Sequence, residues 1–245
     1  MSEKLKKQLK TLHLSGVCQH FEAIFETASE KNWTHCQLLE SLFDLELDHR
    51  LNKRIQLRLK QAKLPSHPTI DSFDFERHTS RKKSKGNILK LMQLDFIKSS
   101  EDVILIGNPG VGKTHLALCL GHEAAQNAVR ALFTTATDMI NHLIAAESDH
   151  SLLKKLSHYT EPDLLICDEI GYLPLDKQGS SLFFQVISRR HQRKSTILTT
   201  NLPFAQWGNL FDSTTVATAI ADRLVMNSEV IILEGESYRR NKRKK

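Results

Sequence analysis

One stretch of this chain has the residue types and spacing of a phosphate-binding loop. Residues 107–114 read GNPGVGKT, which fits the pattern GxxxxGK[ST] between an apolar run and a helical segment. The glycines would let successive backbone N–H groups point at phosphate oxygens, aided by the N-terminus of the following helix. Lys113 would neutralise the β and γ phosphates of ATP, and the Thr114 hydroxyl would ligate Mg²⁺. We expect the nucleotide to contact Gly107, Asn108, Pro109, Gly110, Val111, Gly112, Lys113, Thr114 and the adjacent His115.

A second stretch places two acidic side chains at the end of an apolar run. Residues 164–169 read LLICDE, which has the form of a Walker B strand. Its four apolar residues predict a buried strand whose end presents Asp168 to hydrated Mg²⁺. The adjacent Glu169 is placed to polarise a water for attack on the γ-phosphate. Because a kinase that passes phosphate to a bound acceptor needs no such carboxylate here, the pair favours hydrolysis. Two carboxylates that cap a strand in solvent are the alternative.

Three further polar residues each have two interpretations. Asn201 ends the run TILTTN, and it either hydrogen-bonds the γ-phosphate or the attacking water, or simply starts a turn. Arg223 lies late in a helical segment and Arg239 follows the last apolar run. Each arginine either forms a structural ion pair or reaches a phosphate, where a guanidinium stabilises charge in the transition state. The residues alone leave these alternatives open.

The elements that must position these residues fall into three regions. Residues 1–64 have one glycine, no proline and leucines at helical spacing, which predicts a small all-helical N-terminal domain. Pro65, Pro68 and the polar residues after them predict a linker over 65–87. From 88 to 245, apolar strands alternate with amphipathic helices, which predicts an α/β fold with a parallel sheet flanked by helices. We expect strands at 103–106, 131–134, 164–167, 196–200 and 230–233, and helices at 112–127, 138–147, 180–193 and 216–226.

Composition favours a cytoplasmic protein with a polyanionic partner. Apolar residues make up 40% and charged residues 25% of the chain, which is ordinary for a globular protein. No apolar run approaches the roughly 20 residues that cross a bilayer, and no signal-peptide pattern opens the chain. The net charge is +6, and basic residues crowd at 4–10, 77–85 and 239–245. Such clusters suit nucleic-acid phosphates, with a solvated basic surface as the alternative for each.

Together these motifs resemble the IstB-type proteins, ATP-dependent helpers of insertion-sequence transposases that are similar to the helicase loader DnaC within the AAA+ ATPases. The resemblance spans roughly residues 70–240 and rests on GNPGVGKTHLAL, LLICDEIGYLPLD, TILTTNLPFAQW and IADRLVMNSEVIILEGESYR. It implies an AAA+ fold with Asn201 as the sensor-1 residue. Arg223 matches an arginine finger that reaches the ATP of a neighbouring subunit, which implies a homo-oligomeric ring or spiral. Arg239 matches another family arginine.

The resemblance also implies a function. It implies ATP-dependent assembly on duplex DNA, largely independent of sequence, deformation of that DNA, and recruitment or stimulation of a partner transposase. The N-terminal helical module would contact the partner or DNA. The alternatives are a helicase loader of the DnaC type, a small-molecule P-loop kinase and a nucleotide-gated binding module without turnover. The stretches GYLPL and NLPFAQW favour the transposition helper, whereas Glu169 and the basic clusters argue against the kinase.

Overall fold

The computed structural model describes residues 1–172 and 174–237, and the chain divides into two compact units. One unit is Met1–Leu57 and the other begins at Arg58. The division into a helical domain at 1–64, a linker at 65–87 and an ATPase domain at 88–245 stays a prediction. No helix in the described ranges is both long and apolar enough to span a bilayer.

The first unit is entirely helical. Its elements are α1 (Glu3–Thr11), α2 (Ser15–Glu30) and the part of α3 (His35–Gln61) that ends at Leu57. The Glu46 carboxylate is buried and accepts hydrogen bonds from the backbone N–H groups of Gly16 and Val17, at 2.7 and 3.2 Å. It therefore satisfies free N–H groups at the start of α2. Burial raises the pKa of Glu46, but the bonds from Arg50 and the two amides outweigh it and lower the pKa.

A row of apolar side chains is exposed to solvent along α3. Its members lie four residues apart, so they project from the same side of the helix. Their exposed fractions are 52, 57, 64 and 45% for Leu39, Phe43, Leu47 and Leu51, respectively. We call these four residues the α3 stripe.

The second unit contains a five-stranded sheet in which every neighbouring pair is parallel. The strands are β1 (Asp102–Gly107), β2 (Ala131–Thr135), β3 (Leu164–Ile170), β4 (Ser195–Thr200) and β5 (Ser228–Leu233), in the order β2-β3-β4-β1-β5. Because the strands are parallel, their carboxyl ends meet at one edge of the sheet. The predicted α/β fold with a parallel sheet is confirmed.

Helices cover both faces of this sheet. They are α4 (Thr79–Leu91), α5 (Asp95–Lys98), α6 (Lys113–Gln126), α7 (Ala136–Ser148), α8 (Leu152–Thr160), α9 (Lys177–Arg190) and α10 (Thr214–Val225). Successive side chains of a strand point to opposite faces. Val103 and Leu105 accordingly join an apolar core with α4 and α6, whereas Ile104 joins a second core with α7 to α10. The central strands are buried on both sides, which explains their continuous apolar runs.

Three helices begin earlier than the apolar pattern predicted. We expected starts at 138, 180 and 216, but α7, α9 and α10 begin at Ala136, Lys177 and Thr214. The residues before these starts are Thr135, Asp176 and Ser213, and each side chain accepts a hydrogen bond from a first-turn backbone N–H. Polar N-caps therefore set the helix starts.

The segment expected to be a linker, 65–87, is folded in the structure. It contains a 3-10 helix at Ile70–Ser72 and the first part of α4. Phe73 and Arg81 from this segment are 5% and 3% exposed. Most residues of this segment are exposed or partly exposed, so its average composition resembles that of a linker. Its few buried residues are nevertheless packed into the protein.

Two buried ionisable side chains, Asp102 and Arg190, lie at the amino-terminal edge of the sheet. The Arg190 guanidinium donates to the carbonyl oxygens of Tyr159 and Pro162, at 3.1 and 2.8 Å, and to that of Ser195. Asp102 accepts a hydrogen bond from the Thr196 N–H at 2.7 Å. Burial raises the pKa of Asp102 to about 7, against the opposing effects of this bond and of Arg190.

Candidate functional site

The phosphate-binding loop joins β1 to α6 at the carboxyl edge of the sheet. Its backbone takes left-handed conformations at Gly110 (φ 83°) and at Gly112 (φ 95°), the N-cap of α6. Glycine adopts such angles without steric cost. A Cβ atom at Gly112 would also lie 3.1 Å from the Phe73 ring. The two glycines therefore permit the sharp turn that leads into the free N–H groups of the first turn of α6.

The Lys113 side chain lies against the same loop. Its Nζ donates hydrogen bonds to the carbonyl oxygens of Gly107 and Asn108, at 2.6 and 3.0 Å. These contacts hold a positive charge beside the backbone that the sequence pattern assigns to phosphate.

A cavity of about 520 Å³ opens at this edge of the sheet. Its volume is within the range of small-molecule and cofactor sites. The predicted residues that line it are Pro109, Gly110, Gly112, Lys113, Thr114, His115, Glu169 and Asn201. Gly107, Asn108, Val111 and Asp168 lie behind this lining, where they contact or support it. The structure thus brings the residues of both acidic and glycine-rich motifs to one site.

Asp168 is held by two threonine hydroxyls. Thr114 Oγ1 donates to Asp168 Oδ1 at 3.0 Å, and Thr199 Oγ1 donates to the same oxygen at 2.5 Å. Asp168 is 4% exposed, so these bonds compensate for its burial. Thr199 was not among the residues predicted from the sequence. The available signal was a threonine near the carboxyl end of an apolar strand, which is also common in strands without a site.

Glu169 lies in a β-bulge of β3. The pairing of β3 with β4 runs Cys167 to Leu198 and then Ile170 to Thr200, so β3 has one extra residue. Glu169 has a φ of 59°, a left-handed conformation that costs a non-glycine residue about 1–3 kcal/mol. Its side chain is exposed and lines the cavity. The bulge therefore turns a carboxylate toward the cavity that regular strand pairing would not place there.

The phosphate-binding loop is also supported by a buried arginine. Arg81 Nη2 donates to the Val111 carbonyl oxygen at 2.6 Å, and Nη1 donates to that of Asp74 at 2.9 Å. The guanidinium carbon lies 4.8 Å from the centre of the Phe73 ring. Arg81 was expected to belong to the basic cluster at 77–85, but its burial removes it from the surface. No local pattern distinguishes it from the lysines beside it.

The oxygen atoms at the site fit a magnesium ion. Mg²⁺ prefers hard oxygen ligands such as hydroxyl and carboxylate oxygens. Thr114 Oγ1 and Asp168 Oδ1 are two such oxygens, and they lie 3.0 Å apart at this edge of the sheet. The hydroxyl and the carboxylate would therefore hold the ion.

The remaining predicted residues lie in different places. Asn201 follows β4 and lines the cavity. His115 Nε2 lies 2.9 Å from Ser72 Oγ, and burial, with the charge of Arg81, lowers the pKa of His115. Arg223 is not part of the cavity lining.

The Arg223 side chain folds onto its own subunit. Its Nη1 donates to the Ala219 carbonyl oxygen at 2.9 Å, and its guanidinium carbon lies 4.8 Å from the centre of the Phe184 ring. Arg239 and the basic residues after it lie outside the described residues.

A parallel sheet in this strand order, with a phosphate-binding loop after β1 and an acidic pair in β3, defines a P-loop NTPase domain of the AAA+ class. Comparison with known families is consistent with this class. The chain belongs to the family described as "IstB-like ATP binding protein", which matches residues 7–245. The resemblance inferred from the motifs is therefore confirmed.

Relatives in this family match almost the whole chain. A protein described as an ATP-binding protein of insertion sequence IS21 from Pseudomonas aeruginosa is 39% identical, over 99% of this chain and 90% of its own length. A protein with the same description for insertion sequence IS5376 from Geobacillus stearothermophilus is 38% identical, over 98% and 94%.

Solved structures share the fold at lower identity. The DnaC helicase loader has a TM-score of 0.58 and 22% identity, and the match covers 67% of this chain and 96% of that one. AMPPCP-bound DnaA from Aquifex aeolicus has a TM-score of 0.60 and 18% identity, with 71% and 52% covered. At these identities the likeness concerns the fold alone.

Proposed function

We propose that this protein is an ATP-hydrolysing, DNA-binding AAA+ protein that assembles on duplex DNA, deforms it, and recruits or stimulates a partner transposase. The observation that carries the ATPase part is the contact of Thr114 with Asp168 beside a cavity that Glu169 and Lys113 also line. Family relatives described as ATP-binding proteins of insertion sequences support the transposition part.

The two sequence motifs and Asn201 have distinct chemical roles in this proposal. The loop N–H groups and Lys113 bind the β and γ phosphates of ATP. Thr114 and Asp168 would hold Mg²⁺, which would supply positive charge beside the phosphates. Glu169 accepts a proton from the attacking water, because its carboxylate lies at the cavity and is not engaged in an ion pair in the described structure. Asn201 orients that water or the γ-phosphate.

The proposal requires more than one subunit. The resemblance to the family assigns Arg223 to the ATP of a neighbouring subunit, and the residue lies outside the cavity lining of its own chain. A guanidinium that arrives only on assembly would make turnover depend on a ring or spiral. Duplex DNA would promote that assembly through its phosphates, largely without regard to sequence. Bending of the DNA would be offset by the contacts of several subunits.

The α3 stripe is suited to a protein partner. An exposed apolar surface gains nothing from phosphates, whereas burial against another protein stabilises it by roughly 25 cal/mol per Å². The helical unit would therefore contact the transposase, and basic surfaces elsewhere would contact DNA.

A helicase loader is the second candidate, because the DnaC loader shares the fold over 96% of its chain. The two candidates predict different clients for the same ATPase. Stimulation of hydrolysis by a purified transposase encoded beside this protein would favour the first candidate. Stimulation by a replicative helicase would favour the second.

Assembly on DNA provides a direct test. Sedimentation of the protein with a random-sequence duplex should reveal a multi-subunit complex with a non-hydrolysable ATP analogue and none without nucleotide. Lys113→Ala should not assemble under either condition. A complex of equal size with and without the analogue, or in the Lys113→Ala variant, would contradict nucleotide-dependent assembly.

A further inference from the structure

The Thr199 hydroxyl joins the two acidic residues of the candidate site. It accepts a hydrogen bond from the Glu169 backbone N–H at 2.9 Å and donates one to Asp168 Oδ1 at 2.5 Å. Thr199 lies on β4, opposite the β-bulge of β3, and is 1% exposed. One side chain from a neighbouring strand is therefore bonded to both members of the acidic pair.

The hydrogen-bonding capacity of a hydroxyl fixes the direction of these bonds. A threonine hydroxyl has one hydrogen to donate and can accept from other groups. An ionised carboxylate only accepts, and a backbone N–H only donates. The Thr199 hydrogen is therefore committed to Asp168, and its oxygen is committed to Glu169. No equivalent group is available from a valine of the same shape.

The bulge makes the Glu169 backbone dependent on this contact. The extra residue interrupts the regular pairing of β3 with β4, and Glu169 takes a left-handed conformation. The Thr199 oxygen provides a partner for the Glu169 N–H at the interruption. Such conformations persist where the surroundings hold them. Without the oxygen, the Glu169 N–H at the bulge would lose this partner.

We propose that Thr199 is a positioning residue for ATP hydrolysis, which holds the Glu169 carboxylate at the cavity and the Asp168 carboxylate toward the Thr114 hydroxyl. This inference rests on the proposed ATPase function. Thr199 acts through the two acids, and the hydrogen bonds from Lys113 to the Gly107 and Asn108 carbonyl oxygens do not involve it. Its loss should therefore reduce turnover much more than nucleotide binding.

The test compares Thr199→Val with Thr199→Ser in the full-length protein. The valine removes the hydroxyl and keeps the shape, so kcat should fall about 10- to 100-fold, as for other residues that orient an active-site ligand. The affinity for a non-hydrolysable ATP analogue should stay within about twofold. The serine retains the hydroxyl and should restore kcat.

Thr196→Val is the matched control. Thr196 lies on the same strand and is equally buried at 1% exposure, but its hydroxyl accepts a hydrogen bond from Arg190 at the opposite edge. This variant should lose thermal stability and retain kcat, which separates a structural effect from a positioning effect.

The outcomes distinguish the inference from the function on which it rests. Normal kcat in Thr199→Val, a serine variant as slow as the valine variant, or an equal fall of kcat in Thr196→Val would overturn the role of Thr199 alone. Wild-type hydrolysis no faster than that of Lys113→Ala would overturn the ATPase proposal, and the role of Thr199 with it.

Discussion

Neutralisation of Asp102 should make the protein more stable above neutral pH. Asp102 is buried at the amino-terminal edge of the sheet, and burial raises its pKa from 3.8 to about 7, against the bond from the Thr196 N–H and the charge of Arg190. The folded protein therefore holds this proton more tightly than the unfolded chain does. The associated stability is fully present below pH 3.8 and is lost as the pH rises to about 7.

The size of this effect follows from the pKa difference. The interval from 3.8 to about 7, at 1.36 kcal/mol per pH unit, corresponds to about 4 kcal/mol. An asparagine has the shape of the neutral acid, and its Oδ1 can still accept the bond from Thr196. Asp102→Asn should therefore match the wild type at pH 4, within about 1 kcal/mol, and exceed it by up to about 4 kcal/mol at pH 8.

Urea unfolding of both proteins at pH 4 and pH 8 measures this difference directly. Asp163→Asn serves as a control of opposite sign, because hydrogen bonds from Arg130 and Lys194 outweigh burial and lower the Asp163 pKa to about 2. That variant should be less stable than the wild type at pH 8, by an amount that shrinks as the pH falls below about 4. If Asp102→Asn is less stable than the wild type at pH 8, Asp102 is an ionised partner of Arg190 and the reasoning is refuted.

Three further predictions concern the site and the helical unit. Glu169→Gln should bind ATP as the wild type does but lose about 10²- to 10⁴-fold in turnover, measured by phosphate release, because the amide cannot accept the proton of the attacking water. Arg81→Lys should lose about 1.5–3 kcal/mol of stability to urea and bind an ATP analogue more weakly, because an ammonium group cannot bond both carbonyls in the fork geometry of a guanidinium. The double variant Phe43→Ser, Leu47→Ser should abolish stimulation by the partner transposase and keep basal turnover within about twofold, since both side chains are exposed.

Each of these predictions has a matched control and a contrary result. Glu161→Gln changes an exposed glutamate before the amino-terminal end of β3 and should leave turnover unchanged. Normal turnover in Glu169→Gln would remove that residue from the catalytic role. If Arg81→Lys has the stability and the analogue affinity of the wild type, the two hydrogen bonds from the Arg81 guanidinium are dispensable. Glu40→Ser on α3 should keep transposase stimulation; equal stimulation of the double variant would exclude the α3 stripe.

Contiguous motifs made part of the site predictable from sequence. GNPGVGKT and LLICDE each encode a strand end and the polar groups after it, so their secondary structure and chemistry follow from neighbours in the chain. Parallel pairing of both strands with β4 then brings their carboxyl ends to the same edge of the sheet. The contact of Thr114 with Asp168, 54 residues apart, is the result.

Thr199 and Arg81 could not be found in this way, because their partners are distant in sequence. Thr199 bonds Asp168 across 31 residues, and its role depends on a bulge that shifts the strand register. Arg81 reaches Val111 across 30 residues from a segment whose average composition predicts a linker. Hydrophobic periodicity identifies which side of an element is buried, but not which single polar group is buried with it.

Steady-state ATP hydrolysis with and without duplex DNA tests the central claim most directly. The wild type, with Lys113→Ala as the blank, should hydrolyse ATP faster when duplex DNA of any sequence is added, because assembly on DNA would bring Arg223 to the neighbouring site. The same rate with and without DNA would contradict a DNA-assembled ATPase and favour a protein client. A rate no higher than that of Lys113→Ala would contradict hydrolysis itself.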